Sequence, residues 1–178
     1  IITNDPTKRY YYTLLFGDKY RVKIATRNVN IPGIQNFRDL GGYPSYPGKK
    51  QMRWGMIYRS AEIDSLEYCS RRELKNLGIK TLIDLRTPSE IGRQSPLQKG
   101  FNVVHIPLAT GDMEDILQGI REEKIKCDTV YRMVERMNRT LIDKYTKEYR
   151  QIFDILLDKT NYPVVIHCSS GKGRTGIV

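Results

Sequence analysis

The 178-residue sequence predicts an α/β domain whose central, mostly parallel sheet is flanked by helices, with a β hairpin as an N-terminal extension. Three observations support this prediction. Short β-rich apolar runs alternate with segments of helical periodicity, as in parallel sheets covered by helices. Two further β-rich runs near the start flank a Gly-Asp turn, which is typical of a hairpin. The length corresponds to one domain with an appendage.

The hairpin is predicted over residues 10–26, around the turn Gly17-Asp18-Lys19. Because two strands alone are marginally stable, we expect the hairpin to dock on another surface. It is also compatible with the tail of an upstream β domain. We assign residues 1–29 to this extension and residues 30–178 to the main domain.

The main domain alternates strands and helices along the chain. Two Ser/Thr-x-x-Glu capping boxes, beginning at Ser70 and Thr87, predict the starts of two short helices, and Gly78 predicts the end of the first. Helical periodicity then runs with breaks from 112 to 158, with an apolar face in its second half. Residues 41–48 are rich in turn formers and predict a loop. Strands are predicted over 54–58, 80–85, 102–107 and 163–166.

The net charge and the cysteine content limit the kinds of partner and site that the sequence predicts. Lys and Arg exceed Asp and Glu by ten, so the chain attracts anions such as phosphorylated proteins, anionic membrane surfaces or nucleic acid. Nucleic acid is disfavoured because no binding motif with interleaved aromatic residues is present. No apolar run is long enough to cross a bilayer, and no leader peptide is visible. The three cysteines, Cys69, Cys127 and Cys168, show no metal-ligand spacing.

The most informative segment follows the last predicted strand. Residues 167–176 are His-Cys-Ser-Ser-Gly-Lys-Gly-Arg-Thr-Gly, and Arg174 begins a predicted helix. Gly171 and Gly173 permit a loop that turns its N–H groups inward. Inward N–H groups and a helix N-terminus favour a bound anion and also a thiolate over a thiol. The segment therefore predicts a phosphate-binding loop with Cys168 as an activated nucleophile.

This loop resembles the signature of the cysteine-dependent protein tyrosine phosphatase superfamily, His-Cys, five residues, Arg, then Ser or Thr. Residues 36–43, 55–61 and 77–90 are similar to the bacterial tyrosine/serine phosphatase branch, which includes enzymes that accept phosphoinositides. The resemblance covers about residues 30–178. It implies metal-independent hydrolysis of phosphotyrosine, phosphoserine/threonine or phosphoinositide through a phosphocysteine, without a cofactor. Relatives continue with further helices, so we expect this phosphatase domain to be incomplete at its C-terminal end.

The resemblance assigns roles to individual residues. Cys168 attacks phosphorus, Arg174 holds phosphate oxygens through its planar fork, and Thr175 donates a hydrogen bond to the leaving sulfur. His167 orients the loop with its ring turned into the domain.

Substrate contacts are expected from the loop and from the neighbouring sheet edge, where ligands of parallel sheets bind. Lys172 lies in a run similar to the loop of tensin-type phosphoinositide phosphatases, and its charge suits a substrate with several phosphates. The other predicted contacts are the backbone N–H groups of Ser169, Ser170, Gly171 and Gly173, and the side chains of Asp84 and Arg86.

The general acid is where this sequence departs from the branch. Mycobacterial relatives have Asp just before the loop arginine, and this chain has Gly173. Asp112 is our first choice because it follows an Ile-Pro strand end, where many dual-specificity relatives keep their acid. The alternatives are Asp115, Asp84 and Asp39, of which Asp39 has the alternative role of bracing its neighbour Arg38.

Two other functions stay open. One is an inactive phosphate-binding module of the same fold, which the loss of the loop aspartate would suit. The other is sulfur transfer or arsenate reduction, but neither Cys69 nor Cys127 is placed as a resolving thiol. Many relatives are exported, so an exported or periplasmic location is a hypothesis that the resemblance raises. The sequence does not specify an oligomeric state.

Overall fold

A computed structural model describes residues 9–46, 50–64, 66–91, 100–110, 118–125 and 127–178, without the side chain of Cys127. The strands are β1 Tyr12–Phe16, β2 Tyr20–Ile24, β3 Arg38–Asp39, β4 Pro44–Ser45, β5 Lys50–Gln51, β6 Ile57–Ser60, β7 Thr81–Asp84, β8 Asn102–His105 and β9 Val164–His167. The helices are α1 Tyr68–Asn76, α2 Pro88–Ile91, α3 Cys127–Lys144, α4 Thr146–Leu157 and α5 Gly173–Ile177, with a 3₁₀ turn over Lys159–Asn161.

The main sheet has five strands in the order β3-β6-β9-β7-β8. Strands β6, β9, β7 and β8 are parallel, and β3 pairs antiparallel with β6 at the edge. This arrangement confirms the predicted mostly parallel sheet with helices. Strand β6 begins three residues later than predicted, because Gly55 takes a φ of 79° and its N–H bonds the Asp39 carboxylate. The predicted loop at 41–48 contains the short strand β4, which pairs with β5.

Buried side chains cover both faces of the sheet, as period-two alternation requires. In the central strand β9, Val164 and Ile166 belong to one core cluster, which also contains Ile152 of α4. Val165 points to the opposite face and joins a second cluster with Leu74 of α1. The sheet is thus fixed from both sides, and the segments that leave the carboxyl ends of its strands start from a rigid base.

Helix α1 begins earlier than the predicted capping box. It starts at Tyr68 with Glu67 as N-cap residue, and Glu67 makes no side-chain cap hydrogen bond. Ser70 is buried within the helix, and its hydroxyl donates to the Pro32 carbonyl at 2.7 Å. The hydroxyl ties the helix to the chain before β3 instead of capping it. The predicted end is confirmed by Gly78, whose φ is 73°.

The predicted apolar helical face over 141–157 is only partly buried. The chain breaks between α3 and α4 at Tyr145, so the two halves of the stripe do not share one axis. Leu141, Tyr145 and Ile152 are in the core. Three further members of the stripe are exposed: Ile142, Phe153 and Leu157. Within the part of the chain that the structure describes, no helix is long and apolar enough to cross a membrane.

The predicted N-terminal hairpin is present, as an antiparallel pair of β1 and β2. Its two faces differ. The register places six apolar or aromatic side chains on one face: Tyr12, Leu14, Phe16, Tyr20, Val22 and Ile24. The other face carries Thr13, Leu15, Arg21 and Lys23. The apolar face is poorly covered, since Tyr20 is 70% exposed and Phe16 57%.

The base of the hairpin docks on the main domain, as predicted. Arg9 pairs with the buried carboxylate of Asp39 at 2.8 Å, and the Trp54 indole N–H donates to the Lys23 carbonyl at 3.0 Å. Asp39 also accepts the N–H of Gly41 at 2.7 Å. Asp39 therefore fixes the base of the hairpin on the main domain. The sequence had suggested a different role, in which Asp39 braces Arg38. The domain boundary near residue 29 stays a prediction.

Candidate active site

The cysteine of the loop lies directly after β9. Cys168 is buried, and its Sγ accepts hydrogen bonds from the Thr175 hydroxyl at 3.1 Å and the Gly171 N–H at 3.2 Å. Burial by itself raises the pKa of the thiol, but these bonds and the positive charge of Arg174 outweigh it and lower the pKa below its ordinary value. The loop therefore favours a thiolate, which is the nucleophilic form of cysteine.

One of the two loop glycines is required by the backbone. Gly171 has a φ of 65°, and a Cβ there would lie 2.3 Å from the Ser60 carbonyl oxygen. This close approach seats the loop on the end of β6. Gly173 has no such constraint, since a Cβ on it would meet no atom within 4 Å. The expectation that both glycines are needed for the loop angles is corrected accordingly.

The outer side of the loop is held by two residues to which the sequence assigned no role. The Asn36 side-chain amide donates to the Ser170 carbonyl at 3.0 Å and to the Gly171 carbonyl at 3.1 Å. Arg59, on β6, donates to the Gly171 and Lys172 carbonyls. Carbonyls that are bonded outward leave the loop N–H groups directed inward.

The loop arginine is fixed by a carboxylate that sequence reasoning missed. Arg174 binds Glu90 through both ends of its fork, Nη2 to Oε1 at 2.6 Å and Nη1 to Oε2 at 2.7 Å. Nη1 also donates to the Leu85 and Leu108 carbonyls, beyond β7 and β8. The predicted convergence of the carboxyl ends of these strands is thereby confirmed for the described residues. Burial lowers the pKa of Arg174, but Glu90 more than compensates and raises it.

Glu90 comes from the second predicted capping box. Its Oε2 accepts the Thr87 N–H at 2.8 Å, which is one of the two bonds of the predicted capping box at the start of α2. Burial raises the pKa of Glu90, but hydrogen bonds from Arg174, Ser169 and Thr87 lower it to about 2. The Ser169 hydroxyl donates to Glu90 at 2.6 Å and accepts from Arg174 at 3.1 Å. This side chain thus links the arginine to its carboxylate, a role that the sequence did not indicate.

Asp84 and Arg86 lie beneath the site, not at its surface. Arg86 has no exposed side-chain area and pairs with Asp84 at 2.8 Å and Asp64 at 2.6 Å. Burial raises the pKa of Asp84, but the Arg86 hydrogen bonds outweigh it and lower the pKa. A fully buried guanidinium cannot touch a substrate in this arrangement. The predicted direct contacts are therefore replaced by a supporting position under the loop.

His167 has the inward orientation that the sequence predicted. Its ring is fully buried, with Nδ1 3.8 Å from the Asp84 carboxylate. Burial, the largest effect, lowers the pKa of His167 to about 4. The ring is therefore neutral at neutral pH. His105 is exposed, and its Nε2 makes a hydrogen bond with the Arg86 carbonyl.

The structure describes three of the remaining predicted residues, Ser170, Lys172 and Asp39. Ser170 and Lys172 are exposed at the rim of the loop. Asp39 is buried at the base of the hairpin on the edge strand β3, which β6 separates from β9. Asp112 and Asp115 lie outside the described residues.

A cavity of about 650 Å³ lies away from the loop, between the hairpin base and the end of α1. Its lining includes Arg9, Tyr11, Tyr58 and Glu73. It contains none of the loop residues 167–174. The chemistry of the loop, and not the volume of this cavity, therefore identifies the candidate active site.

The central strand of a parallel sheet leads here into a loop with a buried cysteine, and an arginine lies at the start of the next helix. This arrangement is typical of the class of cysteine-dependent phosphatases. The family model described as the tyrosine phosphatase family matches residues 29–178. The chain belongs to that family.

Relatives with assigned names agree with this class. The chain is 26% identical to the triple specificity protein phosphatase PtpB of Mycobacterium tuberculosis, over 83% of this chain and 60% of that protein. It is 28% identical to a Cupriavidus necator protein named as a tyrosine-protein phosphatase, over 80% of this chain and 52% of that one. An inositol diphosphatase of Arabidopsis thaliana is 42% identical over 43 residues, 24% of this chain and 22% of the relative. The chain thus spans between half and two thirds of its two longer-matching relatives.

Proposed function

We propose that this protein hydrolyses phosphomonoesters through a phosphocysteine on Cys168, with no need for a metal. The observation that carries the proposal is the Sγ that accepts both the Thr175 hydroxyl and the Gly171 N–H, at 3.1 and 3.2 Å. A thiolate held this way can attack phosphorus, while inward N–H groups and Arg174 balance the charge on the phosphate oxygens.

In the first step the Cys168 sulfur forms a bond to phosphorus as the bond from phosphorus to the leaving oxygen breaks. A general acid gives that oxygen its proton, which is typically worth about 10² to 10⁴ in rate. In the second step water attacks phosphorus and the sulfur leaves as a thiolate, which the Thr175 hydroxyl stabilises. The base form of the acid takes a proton from the water, and inorganic phosphate is released.

Three described carboxylates, those of Glu90, Asp84 and Asp39, are poorly suited as the general acid. Burial opposes ionisation of Glu90, yet its bonds to Arg174 hold its pKa at about 2. Asp84 is buried and paired with Arg86, and Asp39 is fully buried and paired with Arg9 at the base of the hairpin. We therefore keep Asp112 as the proposed acid, with Asp115 as the alternative.

The proposed substrates are phosphotyrosine, phosphoserine/threonine and phosphoinositide. Lys172 is exposed at the loop rim, where its charge suits a second phosphate. The names of two relatives, a triple specificity phosphatase and an inositol diphosphatase, support a broad range. The net charge of +10 favours anionic substrates and is compatible with an anionic membrane surface.

The test is turnover of p-nitrophenyl phosphate with and without a chelator, in the natural protein and in Cys168→Ser. Chelator-insensitive turnover that the substitution abolishes supports the proposal. The second candidate, an inactive phosphate-binding module, is favoured by Gly173 in place of the aspartate of relatives. Binding of inorganic phosphate without turnover in the natural protein would establish that alternative and refute the enzyme.

A further inference from the structure

We propose that Asn36 and Arg59 are positioning residues that hold the outer carbonyls of the phosphate-binding loop and thereby keep its N–H groups aimed at Cys168 and at the bound phosphate. The inference rests on the proposed function for the purpose of the loop. Its first measurement, however, is thiol reactivity, which requires no catalysis.

The contacts form a clamp on three successive carbonyls, those of Ser170, Gly171 and Lys172. Asn36 Nδ2 donates to the first two at 3.0 and 3.1 Å. Arg59 donates to the last two, through Nε at 3.2 Å and through Nη2 at 3.0 Å. The middle carbonyl is therefore bonded by both side chains.

Planar trans peptides convert this clamp into the orientation of the N–H groups. In each such unit, the carbonyl of one residue and the N–H of the next point in opposite directions. Holding the Ser170 carbonyl outward directs the Gly171 N–H inward, and that N–H does bond Sγ at 3.2 Å. By the same geometry, the clamped carbonyls of Gly171 and Lys172 direct the N–H groups of Lys172 and Gly173 inward. These two are available to an oxyanion above the sulfur.

Both clamp residues stand on fixed supports outside the loop. Arg59 is on β6, which pairs with β9 along its whole length. Asn36 has a φ of 55°, a conformation that asparagine tolerates better than most residues. Its side chain is held at the end of the sheet just before β3. The outer carbonyls of the loop are therefore held by donors that lie outside the loop, on Asn36 and Arg59.

The test uses Asn36→Gly, which keeps the positive φ accessible but removes the amide, and Asn36→Asp, which keeps the shape but presents acceptors to the two carbonyls. Arg59→Gln tests the other half of the clamp. Arg139→Gln is the control, because it removes the same charge from an exposed i,i+4 pair on α3.

The readout is the rate of iodoacetamide labelling of Cys168 against pH, followed by mass spectrometry of its peptide so that the other two cysteines do not interfere. We expect about tenfold slower labelling at pH 6 in the clamp variants than in the control, with equal rates at pH 10, where every form is ionised. Vanadate should bind about tenfold more weakly, and the acid limb of kcat/KM should move to higher pH.

A clamp that is merely structural would give a different result. Lower melting temperatures with an unchanged labelling profile in Asn36→Gly and Arg59→Gln would overturn the inference. If one variant fails to fold, the other still tests the inference, because Asn36 and Arg59 bond the Gly171 carbonyl independently of each other. A shifted labelling profile in a protein without turnover would refute the proposed function and leave the clamp standing.

Discussion

Glu90→Gln isolates the effect of one carboxylate charge on Arg174, the proposed phosphate-binding residue. The carboxylate accepts from Arg174 at both oxygens, at 2.6 and 2.7 Å, and from the Ser169 hydroxyl at 2.6 Å. Glutamine keeps the size of the side chain but replaces one acceptor with an NH₂ group that faces a guanidinium donor. The ion pair holds Nη1 and Nη2 of Arg174 and thereby fixes the plane of the guanidinium. Its loss therefore releases the plane in which the arginine meets the substrate.

The magnitude follows from the acidity of Glu90. Burial works against ionisation, yet the bonds from Arg174 and its neighbours lower the pKa from 4.5 to about 2. At about 1.4 kcal/mol for each tenfold change in acidity, the full difference is about 3 kcal/mol. Because the side chain is 32% exposed, solvent screening reduces this to about 2 kcal/mol. If that stabilisation is used to orient Arg174 in the transition state, kcat/KM falls about 30-fold.

The assay compares kcat/KM for p-nitrophenyl phosphate at pH 7 in the natural protein, in Glu90→Gln and in Glu135→Gln. The last is a control that removes an exposed carboxylate paired with Arg139 on α3. Because the pKa of Glu90 is lowered, its contribution to stability is complete above pH 4.5 and is lost as the pH falls towards 2. Activity within threefold of the natural protein would refute the reasoning and show that other contacts suffice to place Arg174.

Cys168→Ser is expected to reduce phosphatase turnover at least a thousandfold with little change in melting temperature, and substantial residual turnover would point to another nucleophile. Asp112→Asn should slow esters with poor leaving groups about 100-fold but p-nitrophenyl phosphate much less, and equal effects would remove Asp112 as the acid. Lys172→Ala should lower kcat/KM for a phosphoinositide about tenfold more than for a phosphotyrosine peptide; equal losses would end the argument from its charge. Because burial lowers the pKa of His167 from 6.5 to about 4, only the unfolded state takes up that proton as the pH falls below 6.5. Urea titrations should therefore show the free energy of unfolding decreasing by about 2 kcal/mol between pH 7.5 and 5, and the same decrease in His167→Gln would contradict this source.

The position of Cys168 in its loop and the elements around it were predictable because their signals are local. The strand, the cysteine, the arginine and the threonine follow one another within fifteen residues, and the backbone of such a segment has few alternatives. The contact from the Thr175 hydroxyl to Sγ joins residues only seven apart. The alternation of strands and helices likewise predicted the parallel sheet, since each signal lies within one element.

Contacts between distant segments were not predictable. Glu90 is 84 residues from Arg174, and Asn36 is 134 residues from Ser170. The capping-box pattern already explained why a glutamate stands at position 90, so nothing in the sequence indicated that it also pairs with Arg174. Arg59 lies in a block that resembles the family, but the block assigned it no contact, because an arginine on a strand is ordinary until the loop that it bonds is placed beside it.

The sequence pattern also did not predict how deeply Asp84 and Arg86 are buried. The edge of a parallel sheet was predicted to present Asp84 and Arg86 to a substrate. Their position at that edge is correct, but Arg86 turns back onto Asp84 with three of its nitrogens, including the backbone N–H. A second carboxylate, that of Asp64, lies twenty-two residues away in the sequence and helps to compensate the charge of this fully buried guanidinium.

The stretch from Asn36 to Asp39 joins two distant parts of the molecule. At one end it grips the phosphate-binding loop, and at the other it receives Arg9 from the base of the hairpin. Phe37 between them is almost fully buried and packs on the Tyr58 ring at 5.2 Å. Three residues of extended chain span only about 10 Å, too short and too tightly packed to absorb a displacement. A displacement of the hairpin is therefore passed through this short segment to the loop that contains Cys168.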